Sequence, residues 1–265
     1  MHPMVNIAVR AARSAGNVIV RNMDRLDRLH VEAKGNNDFV SDVDRMAERE
    51  IVQTLKRAYP DHGILGEEYG GKANGDYLWV IDPLDGTTNY LHGFPHFAVS
   101  IALLHRGAPE VAVIYDPVRQ ELFTATRGGG ATIEGRRIRM RPRRSIEGAL
   151  LGTGFPFRYP EHQGSYLGMF QSIMGSTGDI RRAGSAALDL AYVACGRLDG
   201  FWELGLSPWD IAAGVLLIQE AGGIVSDFAG DNGYLKSGNV VAGSLKLHAD
   251  LLRHITPHLT DDLRC

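Results

Sequence analysis

Only two cysteines, Cys195 and Cys265, occur in 265 residues, and they match neither a disulfide framework nor a zinc site. Long apolar runs are missing too, so no segment reads as a membrane span. The N-terminus breaks its apolar positions with Arg10, Arg13 and Arg21, unlike the continuous core of a secretory signal. Charge of one sign is not in excess: a net −3 gives no global pull toward nucleic acid or anionic lipid. Repeats and low-complexity segments are absent. What remains is a cytoplasmic globular protein, 44% apolar and 22% charged, long enough to bury a large core. Residues 1–265 read as one domain of two intimate halves with their boundary near 145–150. Cys195 adjoins the apolar run 186–194, the setting of a buried thiol.

Val5, Ala8, Val9, Ala12, Ala15, Val18 and Ile19 recur at helical spacing and predict an amphipathic helix over 4–29. A turn is expected at 34–38, then a helix over 42–59 capped by Ser41. A short strand at 62–65 leads into Gly66-Glu67-Glu68, followed by a glycine-rich loop at 69–76. Segments 97–104, 111–115 and 121–126 predict an antiparallel meander. Gly128-Gly129-Gly130 is a turn, because no Lys-Ser/Thr pair follows it as in a phosphate loop. Further strands are expected at 150–153, 198–204, 224–226 and 239–242. Further helices are expected at 165–174, 183–195, 208–220 and 245–259. Strands and helices mix without a strict βαβ rhythm, which argues for an α/β (α+β) layered sandwich rather than a barrel.

The most informative stretch is Leu78-Trp79-Val80-Ile81-Asp82-Pro83-Leu84-Asp85-Gly86-Thr87-Thr88-Asn89. Residues 77–81 form a continuous apolar run suited to a buried strand. Asp82 stops that run, Pro83 removes a donor, and Asp85-Gly86 signals a turn. Thr87, Thr88 and Asn89 suit a helix N-terminus. Two carboxylates three residues apart thus precede free backbone N–H groups. Carboxylates collect a hard cation, and exposed N–H groups at a helix start collect phosphate. An ordinary Asp-Pro turn explains the same residues equally well when they are read alone.

Two other acidic groups tip the balance. Glu67 and Glu68 follow a strand, and Asp210 stands at a helix start where it could serve as the cap. Strand ends and helix starts are where α/β sheets build ligand sites. Ionised carboxylates ~5 Å apart repel by about 3 kcal/mol at an effective dielectric of ~20, so convergence demands cations. An all-oxygen donor set points to Mg²⁺ or Mn²⁺ rather than zinc. His92 and His96, near the central stretch, read as structural, since magnesium prefers oxygen. Trp79 and Trp209 read as core anchors.

Gly66-Glu67-Glu68, the stretch Trp79 to Asn89, and Trp209-Asp210-Ile211-Ala212-Ala213-Gly214 together resemble the signatures of the inositol monophosphatase family. The resemblance runs over nearly the whole chain in the family's order and spacing. Arg181-Arg182-Ala183-Gly184-Ser185-Ala186-Ala187-Leu188-Asp189-Leu190 and Phe201-Trp202-Glu203-Leu204-Gly205-Leu206 resemble its bacterial SuhB-type branch. The resemblance implies an αβαβα sandwich with mixed sheets, forming a homodimer. It implies a Mg²⁺-dependent phosphomonoesterase that hydrolyses inositol 1-phosphate and is inhibited by lithium. Glu67, Asp82, Asp85, Asp210 and the Leu84 carbonyl would hold two or three Mg²⁺. Gly86 and Thr87 would bind phosphate through backbone N–H groups. The Thr87 hydroxyl and Asp44, with Glu67 among the catalytic residues, would orient and activate water. Gly184, Ser185, Ala186 and Glu203, with Asp210, would contact the substrate.

A fructose-bisphosphatase or a 3′-phosphonucleotide phosphatase would carry the same metal motif. The short connection from Glu67 to Asp82 favours a small phosphorylated polyol. A different class of reading is a mainly non-enzymatic partner of RNA polymerase or the antitermination machinery, which the bacterial branch implies. The feature to weigh there is Arg136-Arg137-Ile138-Arg139-Met140-Arg141-Pro142-Arg143-Arg144, six arginines in nine residues. The Ile138/Met140 alternation suggests a strand with one basic face. A solvated hairpin is the plainer explanation. Arg181 and Arg182 raise the same question of a partner or dimer surface.

Overall fold

The computed structural model describes residues 3–28, 31–35, 38–72 and 75–264. The first half runs α1 (Pro3–Asn22), β1 (Val31–Gly35), β2 (Asp38–Ser41), α2 (Asp42–Ala58), β3 (Gly63–Gly66), β4 (Gly70–Lys72), β5 (Tyr77–Asp85) and α3 (Thr87–Leu91). The meander follows as β6 (Ala98–His105), β7 (Ala108–Asp116), β8 (Glu121–Thr126), β9 (Gly130–Ile133) and β10 (Arg136–Arg137). Then come β11 (Leu150–Thr153), α4 (Gln163–Met174), β12 (Asp179–Arg181), α5 (Ala186–Cys195), β13 (Gly200–Glu203) and α6 (Pro208–Glu220). β14 (Ile224–Ser226), α7 (Tyr234–Ser237), β15 (Val240–Gly243) and α8 (Leu245–Ile255) complete the order.

Besides the small β1–β2 hairpin there are two sheets. One is eight-stranded, in the order β10-β9-β8-β7-β6-β5-β3-β4, and one five-stranded, in the order β12-β11-β13-β15-β14. Both are mixed: β3 runs parallel to β5, and β11 runs parallel to β12 and β13, among otherwise antiparallel pairs. The alternation of strand side chains splits the interior into layers. On β6, Val99, Ile101 and Leu103 join the core beneath α1 and α2, with Ile19 and Ile51. Ala98, Ala102 and Leu104 point the other way, toward α5 and α6. On β13, Phe201 faces α5 and α6 while Trp202 faces the outer core with α4 and α8. The layers therefore read αβαβα. Helix α6 lies between two sheets, and every residue from Asp210 to Ile218 is buried.

Several boundaries differ from expectation. Helix α1 ends at Asn22 and continues only as a 3-10 turn over Met23–Arg28. The loop expected at 69–76 contains β4, which pairs with β3; residues 73–74 lie outside the described residues. The turn expected at 34–38 joins β1 to β2, with residues 36–37 also outside them. Helix α5 starts at Ala186 rather than 183, because Gly184 is left-handed and Ser185 is its N-cap. Helix α8 stops at Ile255, ahead of a 3-10 turn containing Pro257. Of the arginine-rich stretch only Arg136 and Arg137 join a ladder. Ile138 and Met140 are buried under the end of α6, where Met140 N–H bonds the Ala221 carbonyl, so 138–143 is a strap rather than a strand.

The correction that matters most concerns β5. The strand does not stop at Asp82 but runs to Asp85 through a bulge: Asp82 pairs with Ser100 and Asp85 with Ala98. The extra residue takes Pro83 out of the ladder, where its missing N–H costs nothing. A bulge also re-aims neighbouring side chains, and here those are two carboxylates.

Candidate functional site

Asp82 and Asp85 leave the bulge, and Asp210 leaves the first turn of α6. One carboxylate oxygen from each lies within 4.8 Å of the others. All three are nearly inaccessible, at 2%, 9% and 7% exposure. Leu84 N–H donates to Asp82 Oδ1 at 2.9 Å, curling the bulge around its own carboxylate. Glu67 follows β3, the parallel neighbour of β5; its N–H bonds the Ile81 carbonyl at 3.2 Å, and its side chain lines the same cavity. Glu68 does not line that cavity; its N–H donates to the buried Glu48, which holds the turn together. Asp210 corrects one reading: the N-cap of α6 is Ser207. Asp210 is three residues further on, and its carboxylate accepts the Ser207 N–H at 2.7 Å.

Burial and mutual repulsion make this cluster hold protons. Burial, then the charges of Glu67, Asp85 and Asp210, pushes the Asp82 carboxyl well above its ordinary value. Burial raises Asp85 to about 6 against the hydrogen bonds from Ser185 and Ala187. Burial, then Asp85, raises Asp210 to about 7. Anionic oxygens gathered out of water fit a hard divalent cation such as Mg²⁺, which would favour their ionised forms. Asp82, Asp85, Asp210, Glu67 and the Leu84 carbonyl are the groups that would hold it.

Next to the cluster, Gly86 adopts φ 98° and opens α3. A Cβ there would lie 3.0 Å from the His96 carbonyl and 3.2 Å from that of Gly184, so the position admits only glycine without strain. Thr87 Oγ1 lies 2.8 Å from Asp44 Oδ1 and 3.0 Å from the Leu84 carbonyl. Asp44 is fully buried, and its Oδ2 accepts both the N–H and the hydroxyl of Ser41. Desolvation raises its pKa despite those bonds.

The cavity, about 460 Å³, extends from the carboxylates toward Glu203, Gly184, Ser185 and Ala186. Ser185 lines it, but its hydroxyl donates to Asp85 Oδ2 at 2.5 Å, and Ala187 N–H reaches the same oxygen at 2.8 Å. Glu203 ends β13, and a Cβ on Gly154 would fall 1.9 Å from its Oε1, so Gly154 makes its room. Burial, then the nearby charge of Asp189, pushes Glu203 well up. His92 is exposed, His96 is buried with its pKa lowered by burial to about 4, and neither lines the cavity. Trp79 is wholly buried, and Trp209 packs on the α5–α6 core.

Other wall residues lie inside the motifs quoted above but were given no site role there. Asn89 donates its amide to the carbonyls of His96 (2.7 Å) and Ala183 (2.8 Å), tying α3 to the turn before α5. Arg182 stacks its guanidinium 5.2 Å from the ring centres of both Phe155 and Phe157. Asp189 is the only acid of the apolar helix α5, a sequence signal that could have flagged it.

This chain matches the model of the inositol monophosphatase family over residues 1–260. A Pseudomonas aeruginosa protein named Nus factor SuhB is 59% identical over 270 residues, spanning 100% of both chains. The solved extragenic suppressor protein suhB of Bartonella henselae is 44% identical with a TM-score of 0.93, over 97% of this chain and 99% of that one. The inositol monophosphatase of Anabaena is 40% identical with a TM-score of 0.86, over 96% and 95%. The chain belongs to the inositol monophosphatase family.

Proposed function

We propose that this chain is a Mg²⁺-dependent phosphomonoesterase that releases phosphate from inositol 1-phosphate or a similar small polyol phosphate. The observation that carries the reading is the meeting of Asp82, Asp85 and Asp210 within 4.8 Å beside the Thr87–Asp44 hydrogen bond. When bound, two or three Mg²⁺ would supply Lewis acidity, lowering the pKa of water and offsetting charge on the leaving oxygen. Thr87 Oγ1 orients the attacking water, and Asp44 receives a proton at Oδ1 through that hydroxyl. Backbone N–H groups of Gly86 and Thr87 hold the phosphate, while Glu203, Gly184 and Ala186 face the alcohol. The test is phosphate release with Mg²⁺ from inositol 1-phosphate, fructose 1,6-bisphosphate and a 3′-phosphonucleotide. Inositol 1-phosphate is expected to be preferred and lithium to inhibit; full activity in excess chelator would defeat the metal reading.

A second role, binding within the transcription machinery, is favoured by the strap together with the name of the Pseudomonas relative. Burial of Ile138 and Met140 turns Arg139 and Arg141 outward, and Arg136 and Arg144 are exposed as well. These four have no ion pair among the described residues, whereas Arg143 is consumed by Asp199. Replacing Arg139 and Arg141 with Gln is expected to reduce RNA polymerase co-purification from cytoplasm without changing phosphate release. Unchanged co-purification would leave the strap a solvated surface.

A further inference from the structure

A buried carboxylate needs donors, because an unmet one bears its full desolvation cost. Outside the site this chain obeys the rule: Asp116, Asp199, Asp227 and Asp250 each accept backbone N–H groups. Inside it, Asp44, Asp82, Asp85 and Asp210 do so too or take a hydroxyl. Asp189 departs from the pattern. It is 2% exposed, yet no hydrogen-bond donor reaches its carboxylate among the described residues.

Its position explains what would meet it. Asp189 lies in the first turn of α5, its N–H bonded to the Ser185 carbonyl at 3.0 Å, and it lines the cavity beside Glu203 and Arg182. Thr153, the neighbouring hydroxyl, is turned away toward Tyr166, 3.0 Å from that ring oxygen. Arg182 lies 5.2 Å from the ring centres of Phe155 and Phe157, and its charge acts on Asp189 and Glu203 without a hydrogen bond to either. Glu203 also lacks a protein donor among the described residues. Two acceptors without hydrogen-bond donors among the described residues therefore line one cavity.

We propose that Asp189 is a specificity-determining residue whose carboxylate, beside Glu203, accepts a hydroxyl of the substrate's alcohol, so that the cavity selects polyhydroxylated monophosphates. The inference rests on the phosphatase reading and deepens it. Two acceptors reward two hydroxyls, and a site built to bond a hydroxyl strongly rejects the analogue lacking it.

The experiment measures kcat and KM of the full chain with Mg²⁺ on inositol 1-phosphate and on cyclohexyl phosphate, the same ring without hydroxyls. Asp189→Leu is expected to raise KM for inositol 1-phosphate by on the order of ten- to a hundredfold and to leave cyclohexyl phosphate unaffected. Asp189→Asn, whose amide oxygen still accepts, is expected to recover most of that loss. Calorimetric binding of myo-inositol should weaken in parallel in the Leu variant. Equal losses on both substrates, or no loss on either, would overturn the proposal. If the wild type turns over neither substrate, the phosphatase reading fails, and the calorimetry decides Asp189 separately: inositol binding insensitive to Leu, or no binding, overturns it. Circular dichroism of both variants checks the fold, and the Asn variant carries the test if Leu disturbs it.

Discussion

Thr87 Oγ1 lies 2.8 Å from Asp44 Oδ1, joining the first turn of α3 to the first turn of α2 across 43 residues. The remaining Asp44 oxygen is occupied by Ser41, so the carboxylate cannot rotate away. The capping box of α2 thereby fixes the orientation of a hydroxyl in the cavity. A local helix-start device has become part of the site.

Thr87→Val keeps the backbone N–H and the β-branched shape while deleting that hydroxyl. The expected result is a fall in kcat of roughly 10²–10⁴-fold with little change in KM, measured by steady-state phosphate release. A change confined to KM would make Thr87 a ground-state binding residue.

Gly86→Ala places a Cβ at φ 98° against two carbonyl oxygens. The strain should cost about 1–3 kcal/mol of stability, read by denaturant melts. Activity is expected to fall further than stability implies, because the same peptide links Asp85 to Thr87. Wild-type stability in the variant would show that the turn relaxes freely.

The raised carboxyls predict an inverted pH dependence without metal. Asp85 titrates at about 6 and Asp210 at about 7 in the folded chain, against 3.8 for an ordinary aspartate. The folded state thus binds protons that the unfolded state has released, so stability is lost as pH rises from about 4 to about 7. In chelator the melting temperature should fall from pH 5 to pH 8. With saturating Mg²⁺ the fall should flatten or reverse, since the ligands must be ionised to hold the ion. Parallel thermal scans check both arms.

Asp210→Asn separates charge from shape. Its amide oxygen can still accept the Ser207 N–H, so the start of α6 should survive. Removing one charge from a cluster within 4.8 Å relieves repulsion of up to about 3 kcal/mol at an effective dielectric of ~20. Loss of a helix-dipole interaction of roughly 0.3–1 kcal/mol opposes it. In chelator the variant should melt at or above the wild type. It should gain less from Mg²⁺ and lose nearly all activity. A clearly lower melting point in chelator would make Asp210 chiefly structural.

What was legible in the chain was whatever depends on local order. Short strand-like runs separated by turns announced the meander, helical spacing announced α1 and α2, and Ser41 announced the start of α2. The carboxylates of the site were visible because acids at the ends of apolar runs need a reason to be there. Tertiary structure alone decided how those pieces meet. The bulge that carries β5 past Pro83 depends on pairing with β6, which no local propensity encodes. Ser207 rather than Asp210 caps α6, because the helix begins two residues before Asp210 and its carboxylate folds back. The arginine-rich strap lost its strand character to two side chains buried beneath α6. Asp189 was invisible as a site residue for the same reason: its helix is buried between two sheets, and only packing reveals which wall of the cavity its one acid reaches.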